Sequence, residues 1–506
     1  MSKSMEQPSR PFIPYSLCVL LFVCLWLHVF IARSATLDTV LIHILGICAV
    51  AVLGFWYVQH AHTSIMTVGA VLLLLVIILI RSFFIYDSQM ASVNLLESTS
   101  VHDFELVVSR DLVYKNHAWT GQASVFYQGS CIGSVGIHAK EPFLRETHLC
   151  CEGRFTRYKD KDFSDEQFKR GVLGSIQITK INYTSYEEGI IGEVAQFRES
   201  CISQLQPEVS FGRALAACGL CAYRSSLYSF NIPRIFMRCG LMHLIAISSC
   251  HMVILSTFID AFLKKVTLKP LLRGVLNVIL LSSYALFCGL PASAIRATLL
   301  VEQKYVMQCV GRKQHTLSAV STLALLMLCV DPQLSVNVAF TLSLACIFGM
   351  NIYGGLAQYY AKIAFHLSGY GKVQKVLRKP FSHVRNTMCA TTVAQLSCLP
   401  ISCVYFGHFS LLAPLSSALI TSLFSLLSLF GIGVIVFSGF KPVQGIALFL
   451  VDSLGQFIET LASFLSERSF ASVSLTDMSW IVSLLVFVAM VALYVFWPKG
   501  KRVVLS

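Results

Sequence analysis

The residues best suited to chemistry fall in four short clusters set in apolar surroundings. The first, Gly240-Leu241-Met242-His243-Leu244-Ile245-Ala246-Ile247-Ser248-Ser249-Cys250-His251, puts two histidines and two serines in one stretch. On a continuous helix, His243 and His251 are eight positions apart and lie about 80° from one another, on neighbouring faces. Side chains of these types serve as hydrogen-bonding glue between helices. A metal site would need further ligands at helical spacing, and the stretch has none. A hydrolase using Ser248 or Ser249 would need a carboxylate behind the histidine, which is also lacking nearby.

The second cluster is Gly289-Leu290-Pro291-Ala292-Ser293-Ala294-Ile295-Arg296-Ala297. Gly-x-Pro between apolar runs breaks a helix. At membrane depth a break is tolerated only where it is buried in protein or lines a wet cavity. Arg296 either snorkels outward or meets an anion such as phosphate. The third cluster, Asp331-Pro332, reads as a turn with a capping aspartate. The fourth is Ala394-Gln395-Leu396-Ser397-Cys398-Leu399-Pro400, followed by Tyr405-Phe406-Gly407-His408-Phe409-Ser410. Gln395 supplies a buried amide, and the aromatic turn suits a membrane interface.

The elements that must position these clusters are hydrophobic spans. Apolar residues make up 55% of 506 positions and charged residues 13%, with mean hydropathy +0.69. Soluble domains carry about 25% charge, so most of the chain faces lipid or protein. Three spans are expected at about 14–32, 37–58 and 63–85, the last containing nine unbroken aliphatic residues from Leu72 to Ile80. The first is too long for a signal h-region and reads as a retained anchor. Nine more are expected near 238–262, 273–290, 294–309, 315–331, 336–356, 386–406, 409–438, 443–466 and 479–497. Pro414 marks 409–438 as broken or tilted. Segment 208–230 is too interrupted to be a span.

Charge orients this arrangement. Residues 97–200 hold 12 Lys+Arg against 15 Asp+Glu, while the remainder holds 27 against 11. Basic clusters occur at Lys264–Arg273, Arg312–Lys313, Lys362–Arg385 and Lys499–Arg502. With a cytoplasmic N-terminus, three spans put the acidic insert outside, and nine more return every basic cluster inside, as the positive-inside rule requires.

The insert has a different pattern. Phe104–Asp111, Ala118–Gly129, Cys131–Ala139, His148–Lys159 and Val172–Ile181 alternate apolar and polar residues and read as five strands. Five short strands suit a small all-β barrel of oligonucleotide-binding (OB-like) type. Within it, Phe155, Arg157, Tyr158 and Lys159 alternate cations with aromatics, as single-stranded nucleic acid prefers, although an ordinary half-exposed strand has the same pattern. Most of the 18 cysteines lie in apolar runs. Cys131, Cys150 and Cys151 lie in the insert, where an oxidising compartment would permit Cys131 to pair with either of the others. Cys218-Gly-Leu-Cys221 has no partner pair for zinc. No metal or cofactor is expected.

Taken in order, the four clusters resemble the membrane domain of the ComEC family of bacterial competence proteins. That family's Gly-Leu-x-His-Leu-Leu-Ala-Ile-Ser-Gly-x-His element is similar to Gly240–His251, and its Gly-x-Pro…Arg-Ala element to Gly289–Ala297. Its Asp-Pro followed by a Leu-Ser span resembles Asp331-Pro332 with Leu342-Ser343-Leu344-Ala345. Its Ala-Gln-Leu…Pro and Phe-Gly-x-Phe-Ser elements resemble Ala394–Pro400 and Phe406–Ser410. Here Ser249 replaces a family glycine, Gly219-Leu220 stands for a Gly-Asp pair, and Thr341 for a glutamine. Many family members carry a C-terminal metallo-β-lactamase-like domain. The sequence ends at Ser506 and has no His-x-His-x-Asp-His motif, so the expectation is a short form without that domain.

The resemblance implies a multi-pass protein of the bacterial inner membrane, with both termini cytoplasmic, that passes single-stranded DNA into the cytoplasm. The expected parts are a three-span segment (1–94), an extracytoplasmic OB-like β domain (95–200) and a polytopic channel domain (201–506). His243, Ser248, His251, Pro291, Arg296 and Gln395 are the path candidates, and Phe155, Arg157, Tyr158 and Lys159 the outer contacts. Expected partners are the lipid bilayer, single-stranded DNA, a DNA receptor outside and a cytosolic DNA motor, with a homo-oligomer left open. No catalytic role is expected; the competing classes are a small-molecule permease and an intramembrane Ser/His hydrolase.

Overall fold

A computed structural model describes residues 3–5, 13–30, 48–54, 57–59, 65–98, 103–115, 118–127, 129–158, 161–186, 189–245, 249–266, 270–309, 315–364, 372–406, 408–468, 472–474, 479–497 and 503–505. The long apolar runs form helices. Among the described residues, five helices are long and apolar enough to cross a membrane: Ile65–Glu97, Val338–Ile363, Val384–Phe406, Ala413–Val436 and Lys441–Ser466. Others among the expected dozen spans are shorter or more polar. Thr316–Val330, with 15 residues, reaches only about 22 Å against roughly 30 Å of hydrocarbon. Ala292–Cys309 carries Arg296, Glu302 and Lys304. On Lys441–Ser466, Ile446, Phe449, Phe457 and Phe464 are each more than half exposed, an apolar surface suited to lipid.

Two expected spans differ in form. In 409–438, Pro414 sits in the first turn of an unbroken helix, Ala413–Val436, where its missing N–H costs nothing. The preceding His408–Ser410 is a short strand paired with Ser472–Ser474. The 238–262 span is not one helix: Ile232–Arg238 ends at Gly240, whose φ of +69° a side chain would strain, and a methyl there would overlap Ala413. Met242–Ile245 and Ser249–Val266 are helical beyond it, and 246–248 lie outside the described residues.

The N-terminal helices share a core with the later block. Tyr15, Leu20, Val71, Leu75 and Ile78 pack with Leu317, Val320, Leu328 and Phe340, and Ser16 Oγ lies 2.6 Å from Ser321 Oγ. A second core unites Ile190–Leu205, Phe211–Cys221, Ile232–Arg238, Ala413–Val436 and Lys441–Ser466. Its centre, Phe211–Cys221, lies in the segment too interrupted for a span. Gly212, Ala214, Ala216, Ala217 and Gly219 let neighbouring backbones approach, and a methyl on Gly455 would overlap the Gly212 backbone.

The insert is a small β-barrel: β1 (Asp103–Val108), β2 (Val113–Lys115), β3 (Ala118–Tyr127), β4 (Ser130–Ala139), β5 (Thr147–Thr156) and β6 (Val172–Tyr186). Neighbours run β1–β3–β4–β6–β5 and back to β1, all antiparallel except the parallel pair β4–β6, so the ring closes. All five expected strands are present. Short β2 pairs only with β3, and the helix Lys161–Lys169 links β5 to β6. Alternation fills the interior with Phe104, Leu106, Val108, Ala123, Val125, Val135, Ile137, Leu149 and Ile176. The helix Ile65–Ser98 continues out of its span, and its Val93 and Leu96 join this core.

The barrel keeps Cys131 apart from Cys150 and Cys151, and all three are free thiols. β6 lies between their strands. On the other side of the ring Cys131 aligns with Phe126, Phe126 with Glu105 and Glu105 with Cys150, so β3 and β1 stand between the cysteines, at about 4.8 Å per strand spacing. A disulfide requires Cα atoms within about 7 Å. Cys151 instead packs into the barrel core, and burial raises its thiol pKa to about 12.

Candidate functional site

The four sequence clusters interlock. The short strand His408–Ser410 and the helix after it dock at the entry to the first cluster: Ser410 Oγ donates to Arg238 O (2.9 Å), and Ser416 Oγ, on Ala413–Val436, to Cys239 O (2.6 Å). Gln395, on Lys372–Phe406, donates its amide to Ser410 O, tying together the two halves of cluster four. Clusters two and three meet at Arg296. Its side chain is 0% exposed, which excludes outward snorkelling, and its guanidinium donates to Ser343 Oγ on Val338–Ala364. Cys398 Sγ reaches Leu342 O at 3.3 Å, and Ser397 lies where a side chain on Gly349 would be, so Lys372–Phe406 completes the group.

The remaining path candidates are placed differently. His243 lies on the turn Met242–Ile245 with its side chain exposed. Ser248 lies outside the described residues; His251 falls on Ser249–Val266, but its side chain is likewise not described. Pro291 directly precedes Ala292–Cys309, after Gly289 (φ +89°) and Leu290 (φ +50°). Asp331 caps the turn Pro332–Val336, accepting from Gln333 N at 2.9 Å.

Of the barrel candidates, Phe155 packs over Gly174, Arg157 is exposed, and Lys159 lies outside the described residues. Tyr158 is half-buried, with its hydroxyl over Gly136 and its ring edge-on to Phe163 at 4.9 Å. Burial pushes the Tyr158 phenol above its ordinary pKa. Phe163 escaped the sequence reading because it lies beyond the strand, on the helix Lys161–Lys169.

The seam between barrel and helices was the feature least visible in sequence. Asp111, in the β1–β2 loop, accepts from Arg198 Nη1 (3.0 Å), Arg198 Nη2 (2.5 Å) and Arg145 N (2.9 Å). The Arg198 and Asp111 side chains are only 3% and 8% exposed, and Arg198 Nε also donates to Cys221 O at 2.7 Å. Ser225 Oγ donates to Leu112 O (2.6 Å), tying the same loop to the helical block. Arg110 and Arg224, close to that bond in sequence, are exposed, and crowding by protein together with the Arg224 charge lowers the Arg110 pKa. Arg145 Nη2 reaches Leu286 O at 3.3 Å, with its guanidinium over Gly289. Gln333, beside Asp331-Pro332, lies against Gly171 at the end of the barrel helix. The barrel therefore rests on the turns of clusters two and three.

The competence protein family model matches residues 222–500, more than half of the chain and all four clusters. The chain belongs to the competence protein family. The ComEC resemblance drawn from the clusters agrees with this membership, and membership associates the chain with DNA uptake at a membrane. The match begins at the seam, so the barrel lies outside it. No curated protein and no solved structure matches the chain. Among the described residues, no group of three or more His, Cys, Asp and Glu could hold a metal ion. What the competence elements build is a buried cation, an interlocked set of polar turns and, beneath the barrel, the tight Gly289–Pro291 turn between the antiparallel helices Pro270–Phe287 and Ala292–Cys309.

Proposed function

We propose that the chain is a channel passing single-stranded DNA inward across the bacterial inner membrane, with the barrel outside and both termini in the cytoplasm. The observation that carries this reading is the setting of Arg296. A fully buried guanidinium enters on a helix that begins just after the Gly289–Pro291 turn, within a competence-family fold. Its depth corresponds to a closed path. Opening would part Ala292–Cys309 from Val338–Ala364 at the Arg296–Ser343 contact and free the cation for a phosphate.

The barrel supports the same reading. Its ring, with one parallel pair among antiparallel neighbours, has the order expected of an OB-like barrel, a fold that binds oligonucleotides on its strand-2 and strand-3 face. On this barrel that face lies on β3 and β4, and Tyr158 and Phe163 border it over Gly136. Arg110 and Arg224 place two cations at the seam for a backbone entering from there. A DNA receptor outside and a cytosolic motor would complete the route.

The test is entry of labelled DNA into the cytoplasm of cells expressing Arg296→Met, which keeps volume and removes charge. Normal membrane levels with at least a tenfold loss of uptake are expected. Wild-type uptake by that variant would remove Arg296 from the path, and normal transformation by a deletion strain would refute the channel itself.

A further inference from the structure

The helix Pro270–Phe287 ends in a Schellman arrangement: Leu290 N donates to Ala285 O (2.8 Å) and Gly289 N to Leu286 O (2.9 Å). Gly289, at φ +89°, supplies the left-handed residue such an ending needs. Leu286 O also accepts from Arg145 Nη2, a residue of the soluble barrel 141 positions earlier. A methyl on Gly289 would overlap Arg145 Nη1, so the arginine occupies the space that the glycine leaves open. A cation at a helix C-terminus is favourably placed against the helix dipole. Arg145 is held firmly: its backbone N–H donates to Asp111, its Nε lies 3.1 Å from Glu146, and its side chain is 10% exposed.

We propose that Arg145 is a helix cap supplied in trans, a positioning residue through which the barrel fixes the Gly289–Pro291 break and hence the helix carrying Arg296. Arg296 lies in the second turn of the helix that starts at Ala292, just past this turn, so a change at the cap is felt where the buried cation sits. Displacing the barrel outward withdraws the cap and loosens the break; keeping it seated holds the break in one conformation. This explains why a glycine stands at position 289 beyond the needs of the turn: any side chain there would expel the guanidinium.

The test is hydrogen exchange on the full chain in lipid nanodiscs without DNA, so it stands or falls separately from the transport proposal. In Arg145→Ala, the amides of Gly289 and Leu290 should exchange about ten- to a hundredfold faster, the size expected for losing one charged hydrogen bond at a local opening, while the amides of β4 and β5 keep their protection. Arg145→Lys should lie between, having the charge without the fork. Gly289→Ala should accelerate the same amides strongly in the parent chain and much less in Arg145→Ala, where the overlap no longer exists. The proposal fails if Arg145→Ala leaves the Gly289 and Leu290 amides unchanged. It also fails if Gly289→Ala has the same effect in both backgrounds, because the barrel would then not be sensed at the break.

Discussion

Replacing Asp111 by alanine would strip the counter-charge from the guanidinium of Arg198 while leaving that guanidinium buried. The carboxylate takes two hydrogen bonds from Arg198 and one from the Arg145 backbone, and both partners of the ion pair are under 10% exposed. Breaking such a pair by removing one member costs about 3–5 kcal/mol, since the orphaned charge must be rehydrated or the seam must open. Each 1.4 kcal/mol is a factor of ten, so opening should become roughly two to three and a half orders of magnitude more frequent. Cys221 offers a reporter: it is fully buried, and its carbonyl accepts from Arg198 Nε. In a chain whose other cysteines are replaced, the rate of thiol labelling at Cys221 measures the opening. Asp111→Ala should speed labelling by that factor. The double change Asp111→Leu with Arg198→Met should restore most of the protection, because it leaves no buried charge. If the single and double variants label equally fast, the pair contributes through shape alone and the electrostatic reasoning is wrong.

Three further outcomes are expected. Gly455→Ala should sharply reduce the yield of monodisperse protein, because its methyl meets the backbone of Gly212, which cannot rotate away; Gly445→Ala, with nothing within 4 Å, should be neutral or stabilise by up to about 1 kcal/mol. Size-exclusion chromatography and thermal unfolding compare the two. Tyr158→Ala and Phe163→Ala should each weaken binding of a fluorescent single-stranded oligonucleotide to the nanodisc-embedded chain by about 1–3 kcal/mol, read by anisotropy. Arg224→Gln should weaken that binding alike for all sequences and reduce the slope of log affinity against log salt by about 0.7, the value for one single-strand phosphate contact.

Much of the architecture could be read locally. Alternation at Phe104, Leu106 and Val108, and again at Val135 and Ile137, gave each strand an inward face, and closing the barrel required only that these faces meet. Long aliphatic runs such as Leu72–Ile80 likewise became helix. Helix ends were less legible. Gly240 ends the helix before the first cluster where it packs on Ala413, 173 residues away, and no local pattern records that neighbour. The seam escaped for the same reason: Asp111 and Arg198 are 87 residues apart, and each looks like an ordinary charge in its own segment. Arg198 did leave a trace. It lies on the buried stripe of Ile190–Leu205 with Ala195, Ile202 and Leu205, where a charge needs a partner. Arg296 was picked out from the break before it, but only the packing distinguished a buried cation from a snorkelling one.

The helix Ile65–Ser98 crosses its span and ends inside the barrel core without interruption. Its 34 residues make a rod of about 51 Å, so it acts as a lever. Tilting it by about 5° in the bilayer would carry the barrel end roughly 4 Å sideways. That is more than the length of a hydrogen bond such as the one from Arg145 to Leu286. A change in membrane thickness, which long helices accommodate in part by tilting, would then act as a mechanical input to the cap, without any ligand reaching it.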